Sequence, residues 1–204
     1  LTKADNLRFT LPRDVKSAEE LAWDWLRKGW KYRMQRNPRL RSEQKKYVDR
    51  LKYEMEMIIS KDFLDYFLIL SETVSWAKDA NITVGPARGS AAASLACYLW
   101  RITEIDPVPF PNMLFERFID VTRTDLPDID LDFDDERRDE VRQHFVMLYG
   151  AERVGNVGTF TKYKGKNSLD DVGRVYNIPK FAVEKVKGYI VERSGADARA
   201  DETL

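Results

Sequence analysis

Residues 127–140 read PDIDLDFDDERRDE, and three aspartates in this segment alternate with apolar residues. Asp128, Asp130 and Asp132 therefore share one face of a predicted β-strand, because successive strand side chains point to opposite sides. The first two have Cα atoms about 6.5 Å apart, so their carboxylates can reach the same one or two ions. Carboxylates are preferred ligands of Mg²⁺, and two such ions can clamp the oxygens of a phosphoryl displacement. The alternative is a half-buried strand with a solvated acidic face.

The segment VGPARGSAAAS, residues 84–94, has the residue types of an anion-binding turn. Gly85 and Gly89 permit tight turns and a close backbone approach. Ser90 stands where a helix is predicted to begin, and the unpaired N–H groups there suit a triphosphate. Arg88 adds a planar donor fork for phosphate oxygens. The GK[ST] ending of a Walker A loop is missing, and simple packing of a capped helix is the alternative.

Basic and titratable residues elsewhere offer fewer sites. In TFTKYKGK, residues 159–166, Lys162, Lys164 and Lys166 could follow a phosphate backbone or a triphosphate, or could form a solvated basic loop. His144 is the only histidine, and its helical spacing predicts an exposed position. His144 is therefore predicted to be a surface residue. Because no second histidine is present, Ser-His-Asp, Cys-His and histidine-based zinc sites are excluded.

Composition predicts a folded protein of 204 residues, in which 43% hydrophobic residues can form a core. A single cysteine, Cys97, excludes internal disulfides and cysteine metal clusters, and it suits a reducing, cytoplasmic location. No membrane span and no secretory signal are predicted. The net charge is zero, but residues 120–140 hold 10 acidic and 3 basic residues between two basic flanks. Such segregation favours a site that holds cations beside a polyanion.

The elements that must position these residues are mostly helical. A capping box at Ser17 and Glu20 starts the first helix, and Pro38 separates it from a second, whose apolar face carries Leu51, Met55 and Ile58. Further helices are predicted over residues 63–80, 90–101, 135–150, 166–176 and 180–191, strands over 82–84, 128–133 and 154–160, and a frayed tail over 195–204. The pattern predicts a helix-rich α+β fold with a small sheet.

Taken together and in order, these segments resemble the C-family bacterial replicative DNA polymerases, the family of the DNA polymerase III α subunit. The resemblance runs from about residue 45 to about residue 190. It rests on the series YFLIL, VGPARGSAAAS, ITEIDPVPF, LFERFID, LPDIDLDFDDERRDEV, YGAERV and DVGRV. Single motifs of this kind are weak signals, but the ordered series is highly specific.

The resemblance implies a fold and a division of the chain. The fold is α+β, a helix-rich palm with a small mixed sheet of the nucleotidyltransferase (polymerase β-like) type. Residues 1–62 would form a helical segment leading into the palm, and residues 63–165 the palm core with the glycine-serine turn and the DxD strand. Residues 166–204 would continue toward the thumb.

The resemblance also implies roles for individual residues. Asp128 and Asp130 match the two catalytic aspartates that bind two Mg²⁺ ions, and Asp132 is left open as a ligand or as a support. The implied substrate-binding residues are Arg88, Gly89, Ser90, Arg123 and Lys166. Ala87 and Ala93 stand where the family usually has glycine, and Asp170 stands where a basic residue is usual, which indicates a divergent member.

The implied activity is DNA-directed DNA polymerisation, in which a primer 3′-hydroxyl attacks the α-phosphate of a dNTP. Partners would be primer-template DNA and dNTP, with the sliding clamp and other replisome subunits bound through regions outside this chain, and no membrane. The family's third catalytic aspartate lies beyond Leu204, so the isolated chain is expected to lack a full catalytic set. The alternatives are a non-catalytic nucleic-acid or subunit-binding module and a template-independent nucleotidyltransferase.

Overall fold

The computed structural model of the chain describes residues 8–120, 122, 126–158, 160 and 164–190. The chain divides into two compact units, residues 1–154 and residues 155–204, and each is considered by itself. Within the described ranges, no helix is both long enough and apolar enough to cross a membrane. The division predicted from the resemblance, at residues 62 and 165, stays a prediction.

Helices form most of the first unit. Its α-helices are α1 (Ala18–Met34), α2 (Arg39–Ser42), α3 (Gln44–Ser60), α4 (Leu64–Asp79), α5 (Leu95–Leu99) and α6 (Arg138–Tyr149), and short 3₁₀ helices cover Gly89–Ala93, Phe115–Arg117 and Ala151–Arg153. The predicted start of α1 is confirmed, since the Ser17 hydroxyl accepts a hydrogen bond from Glu20 N at 3.1 Å. The Glu20 carboxylate in turn accepts from Lys16 N, so the two side chains stabilise the first turn together.

The core of the first unit is built around α5. All five residues of this short helix are buried, and α1 and α3 pack against it while α4 packs on α1. The close approach of α1 depends on Gly29, where an added Cβ would lie 1.8 Å from Leu99 O. Any larger residue would therefore separate α1 from α5.

The second unit contains α7 (Gly165–Val175) and α8 (Lys180–Lys187) among its described residues. Both helices were predicted from the sequence and are confirmed. They pack through Gly173 and Val183, where an added glycine Cβ would lie 2.6 Å from a Val183 methyl group. The predicted frayed tail at residues 195–204 lies outside the described residues.

The predicted small mixed sheet is wrong, and with it the α+β fold class. Across the described residues, strand pairing is limited to one isolated antiparallel bridge between Val84 and Phe133. The described parts of the predicted strands at residues 82–84, 128–133 and 154–160 are otherwise without regular secondary structure. Alternation in the sequence reports which side of an extended segment is apolar, and that side can be buried against helices without any neighbouring strand.

Two further predictions need correction. The helix predicted over residues 90–101 is interrupted at Ser94, whose extended backbone separates the 3₁₀ helix from α5. His144 is buried, not exposed, with 6% of its surface accessible. Its ring stacks on Trp76 at 4.0 Å, and its Nε2 lies 2.9 Å from Glu72 Oε1, so α6 is anchored to α4 by a residue that helical spacing alone placed on the surface.

Replacement of Gly29 tests the packing of α1 on α5. We expect Gly29→Ala to lower the free energy of unfolding by at least about 2 kcal/mol, because the new methyl group overlaps the Leu99 carbonyl. Urea denaturation followed by circular dichroism measures the change. Gly158→Ala is the control, since a Cβ there meets nothing within 4 Å. Equal effects of the two substitutions would contradict this account of the core.

Candidate active site

The acidic segment is tied by backbone hydrogen bonds to the residues that precede the glycine-serine turn. Gly85 N donates to Asp132 O at 2.8 Å, and Asp134 N donates to Thr83 O at 3.0 Å. Both bonds flank the bridge between Val84 and Phe133. An added Cβ on Gly85 would lie only 3.1 Å from Asp132 Cβ, so a residue without a side chain suits this crossing.

The apolar side of the acidic segment is partly buried, and it is the side that the alternation predicts. Ile129 and Leu131 pack against the main core, and Phe133 packs against a smaller cluster that contains Ala77, Ile82 and Val141. The opposite side leaves Asp128 and Asp132 exposed and Asp130 half-buried. Packing thus directs the carboxylates away from the core.

Arg88 and Asp130 form the central ion pair of the site. Arg88 Nη2 donates to Asp130 Oδ1 at 2.9 Å, and Arg88 Nη1 lies 3.6 Å from Asp132 Oδ1. The hydrogen bond to Asp130 and the charges of both carboxylates raise the pKa of Arg88. The guanidinium therefore partly neutralises the acidic face, and the surroundings of Asp130 suit a positive charge.

Gly89 brings the backbone of the turn against the same carboxylate. Its φ is +65°, a left-handed conformation that glycine adopts readily. An added Cβ would lie 2.9 Å from Asp130 Oδ2, so any other residue would meet the carboxylate as well as backbone strain. Ser90 follows in the same 3₁₀ helix and is half-buried. The first N–H groups of such a turn have no partner within it and are available to an anion.

Tyr66 on α4 faces the acidic segment from the core side. Burial raises the pKa of Tyr66 to about 12, a backbone hydrogen bond with Ile129 acts in the opposite direction, and the nearby charges of Asp128 and Asp130 add to the rise. The phenol is therefore un-ionised at neutral pH and adds no further negative charge beside the aspartates. The sequence carried no signal for this contact.

The start of the turn is held by a partly buried network of charges. Glu104 N donates to Pro86 O at 2.6 Å. The Glu104 carboxylate forms ion pairs with Arg33 and with Lys78, whose Nζ also donates to Arg101 O at 2.6 Å. Burial acts to raise the pKa of Glu104, but the hydrogen bonds from Arg33 and Lys78 outweigh it and the pKa lies below its ordinary value.

The sequence-predicted site residues are distributed as follows. Arg88, Gly89, Asp130 and Asp132 lie together, with Ser90 next in the turn and Asp128 two residues earlier in the acidic segment. Arg123 and Lys162 lie outside the described residues. Lys166 lies on α7 and Lys164 immediately precedes α7, both in the second unit. Their roles stay predictions.

Metal binding would use Asp128 and Asp130, with Asp132 as a further candidate. Within the ranges that the structure describes, no three His, Cys, Asp or Glu side chains are grouped so that they could hold a metal ion by themselves. Mg²⁺ commonly keeps waters and takes substrate phosphates as ligands beside one or two carboxylates. The carboxylates of Asp128 and Asp130 are ligands of the type that such an ion takes. Asp130 already pairs with a positive group, Arg88, so its surroundings suit a cation.

Two residues of this region were missed in the sequence, the half-buried Arg50 and the buried Glu54, both on α3. The Glu54 carboxylate is fully buried and receives hydrogen bonds from the start of α5. A signal was present, because Glu54 is three residues from Leu51 and four from Ile58, and so lies on the apolar face of its helix. A carboxylate on that face requires buried partners.

Comparison with known proteins identifies relatives of the chain. A family model described as "Bacterial DNA polymerase III alpha NTPase domain" matches residues 20–203. The protein named DNA polymerase III subunit alpha from Ureaplasma parvum is 46% identical over 140 residues, which are 69% of this chain and 14% of that protein.

Two other proteins with the same printed name agree. The one from Mycobacterium tuberculosis is 48% identical over 138 residues, 67% of this chain and 12% of its own length. The one from Xylella fastidiosa is 38% identical over 192 residues, 92% of this chain and 16% of its own length. The chain therefore spans less than a fifth of the length of the relatives that it matches.

Substitution of Glu104 tests how the turn is anchored. We expect Glu104→Gln to lower the free energy of unfolding at pH 7 by about 1–2 kcal/mol, because the substitution replaces charged hydrogen bonds to Arg33 and Lys78 with weaker neutral ones. Partial exposure of Glu104 limits the size of this effect. Since the pKa of Glu104 is lower in the folded protein, the ionised carboxylate stabilises the fold above its unfolded-state value of 4.5. That contribution disappears as pH falls through the folded-state pKa.

Urea denaturation at pH 7 and at about pH 3 measures both parts of this prediction. The difference between wild type and Glu104→Gln should shrink at the lower pH, while other carboxylates titrate equally in both proteins. Glu56→Gln, an exposed position on α3, should change stability little at either pH. A penalty that is independent of pH would show that shape, not charge, accounts for the effect.

Proposed function

Because the chain belongs to the family of the bacterial DNA polymerase III α subunit, we propose that it is the catalytic palm segment of a DNA-directed DNA polymerase. The single observation that carries this proposal is the contact between Asp130, Arg88 and the Gly89 backbone. Carboxylates for cations and a backbone turn for an anion lie side by side, as nucleotidyl transfer requires. The substrates would be a dNTP and a primer-template duplex.

Each group would act at a different part of the nucleotide. The Gly89–Ser90 turn and Arg88 would hold the triphosphate, with Arg123 and Lys166 as further predicted contacts. Asp128 and Asp130 would hold two Mg²⁺ ions, and Asp132 would be a ligand or a support. When bound, the ions would supply neutralisation of charge on the attacking and leaving oxygens.

The reaction forms a bond between the primer 3′-oxygen and the α-phosphorus and breaks the bond from that phosphorus to the bridging oxygen of pyrophosphate. The chain's own contribution is to position the triphosphate and to provide charge where it develops. The third catalytic aspartate, the clamp-binding region and contacts with other replisome subunits would be supplied by segments outside this chain. The whole protein would act in the cytoplasm.

Loss of a single aspartate charge tests the catalytic assignment. In the full-length protein, we expect Asp128→Asn or Asp130→Asn to reduce primer extension at least about 100-fold while the thermal melting temperature is retained, since both side chains are solvent-accessible. Asp49→Asn, at an exposed position on α3, is the control and should extend primers normally. Near-normal extension by either active-site variant would refute the assignment.

Removal of Arg88 tests whether its ion pair competes with metal. We expect Arg88→Ala to tighten Mn²⁺ binding by the nucleotide-free chain about two- to fivefold, because the metal ion no longer competes with an exposed, solvent-screened ion pair. The same variant should bind dNTP more weakly. Electron paramagnetic resonance of free Mn²⁺ measures the first effect and calorimetry the second.

Two controls accompany the Arg88 variant. Arg88→Lys keeps the charge and should fall between wild type and Arg88→Ala. Arg153→Ala removes an arginine that pairs with Glu152 instead, and it should leave Mn²⁺ affinity unchanged. Unaltered Mn²⁺ binding by Arg88→Ala would show that the ion pair has no bearing on the metal site.

Primer-extension experiments on the isolated chain distinguish the two rival functions. A non-catalytic binding module is favoured because, within the described residues, no three His, Cys, Asp or Glu side chains are grouped so that they could hold a metal ion. It predicts binding of primer-template DNA by the 204-residue chain without extension. Extension that ignores the template would indicate a template-independent nucleotidyltransferase instead.

A further inference from the structure

The glycine-serine turn ends against two charged residues of α3. Arg50 Nη2 donates to Ala93 O at 2.9 Å, at the last residue of the 3₁₀ helix. Arg50 Nε donates to Glu54 Oε1 at 2.6 Å. The arginine therefore joins the carbonyl end of the turn to a carboxylate on its own helix.

Glu54 holds the next three residues of the chain. The side chain is 0% exposed, and its Oε2 accepts from Ser94 Oγ and from Ala96 N, each at 2.9 Å. Its Oε1 accepts from Leu95 N at 3.0 Å as well as from Arg50. Both carboxylate oxygens are thus fully engaged by donors, which is how a buried charge becomes tolerable.

This arrangement changes where a phosphate can bind. The sequence predicts a single helix from Ser90 whose N-terminus receives the anion, but the N–H groups that begin α5 are already bound to Glu54. The 3₁₀ helix Gly89–Ala93 precedes this start, and its first N–H groups have no acceptor within the helix. Hydrogen bonds that join α3 to Ala93 and Ser94 fix the C-terminal end of this 3₁₀ helix.

We propose that Glu54 and Arg50 are positioning residues for nucleotide binding. They act through the backbone of Ala93 and Ser94 to set the orientation of the Gly89–Ser90 N–H groups, and they do not touch the substrate. This inference rests on the proposed polymerase function. A positioning role and a purely structural role have different consequences. Loss of positioning misorients the turn and weakens dNTP binding in molecules that are still folded.

The chemistry of the side chain makes the prediction specific. Gln in place of Glu54 has one oxygen and one NH₂ group, but the site presents N–H donors to both positions. At least one backbone N–H would face another donor, so Leu95 or Ala96 must shift, and the turn before them with it. Ser94→Ala adds no donor to the site, but it removes a hydroxyl that donates to Glu54 and also caps α5 by accepting from Cys97 N at 3.1 Å.

The test measures how the rate of primer extension by the full-length protein depends on the dNTP concentration, and it also measures the melting temperature of each variant. We expect Glu54→Gln and Ser94→Ala to raise the KM for dNTP, by about tenfold for Glu54→Gln, which corresponds to about 1.4 kcal/mol. The affinity for primer-template DNA should be unchanged. Arg50→Lys, which keeps a cation beside Glu54, should raise KM less than Arg50→Ala.

Ser71→Ala is the matched control, because it also removes a buried hydroxyl that bonds to the α5 region, through Trp100 O at 2.8 Å. It should lower the melting temperature without a change in KM. If Glu54→Gln fails to fold, Ser94→Ala decides the question. An unchanged KM in the folded variants would overturn the positioning role, whereas extension by Asp130→Asn would refute the polymerase proposal itself.

Discussion

The short backbone pairing between residues 83–85 and residues 132–134 is the constraint on which the site depends. It joins the segment that carries the carboxylates to the segment that leads into the turn. Asp130 and Gly89 are 41 positions apart in the sequence, yet an added Cβ on Gly89 would meet the Asp130 carboxylate. Without the pairing, two loops on a helical core would have no reason to meet in this register.

Charged residues, some of them buried, then hold the turn at both ends. Glu104, with Arg33 and Lys78, fixes its start through Pro86, and Glu54, with Arg50, fixes its end through Ser94. Removal of one partner from such a pair leaves a charge in a medium that solvates it poorly. This is a demanding way to stabilise a loop, and it suits a turn whose N–H groups must face one direction in the absence of substrate.

Much of the helical part was predictable. The capping box at Ser17 and the apolar face of α3 are local patterns, and the structure confirms α1, α3, α4 and α6 near the predicted residues. The sheet and the exposure of His144 were wrong. Alternation identified the buried side of residues 128–133 but not its packing partner, and the spacing around His144 carried no information about Trp76 and Glu72 on another helix.

The sequence by itself determined which residue types could hold a cation or a phosphate, the family to which the ordered motifs belong, and where most helices run. Tertiary structure decided that Arg88 pairs with Asp130 and that Glu54 occupies the start of α5. It also decided that, in the part of the chain that the structure describes, residues 128–133 pack on helices and form a single bridge in place of a sheet. The reason is physical. Helix caps and periodicity depend on neighbours within a few residues, whereas ion pairs and burial depend on groups 40 or more positions away.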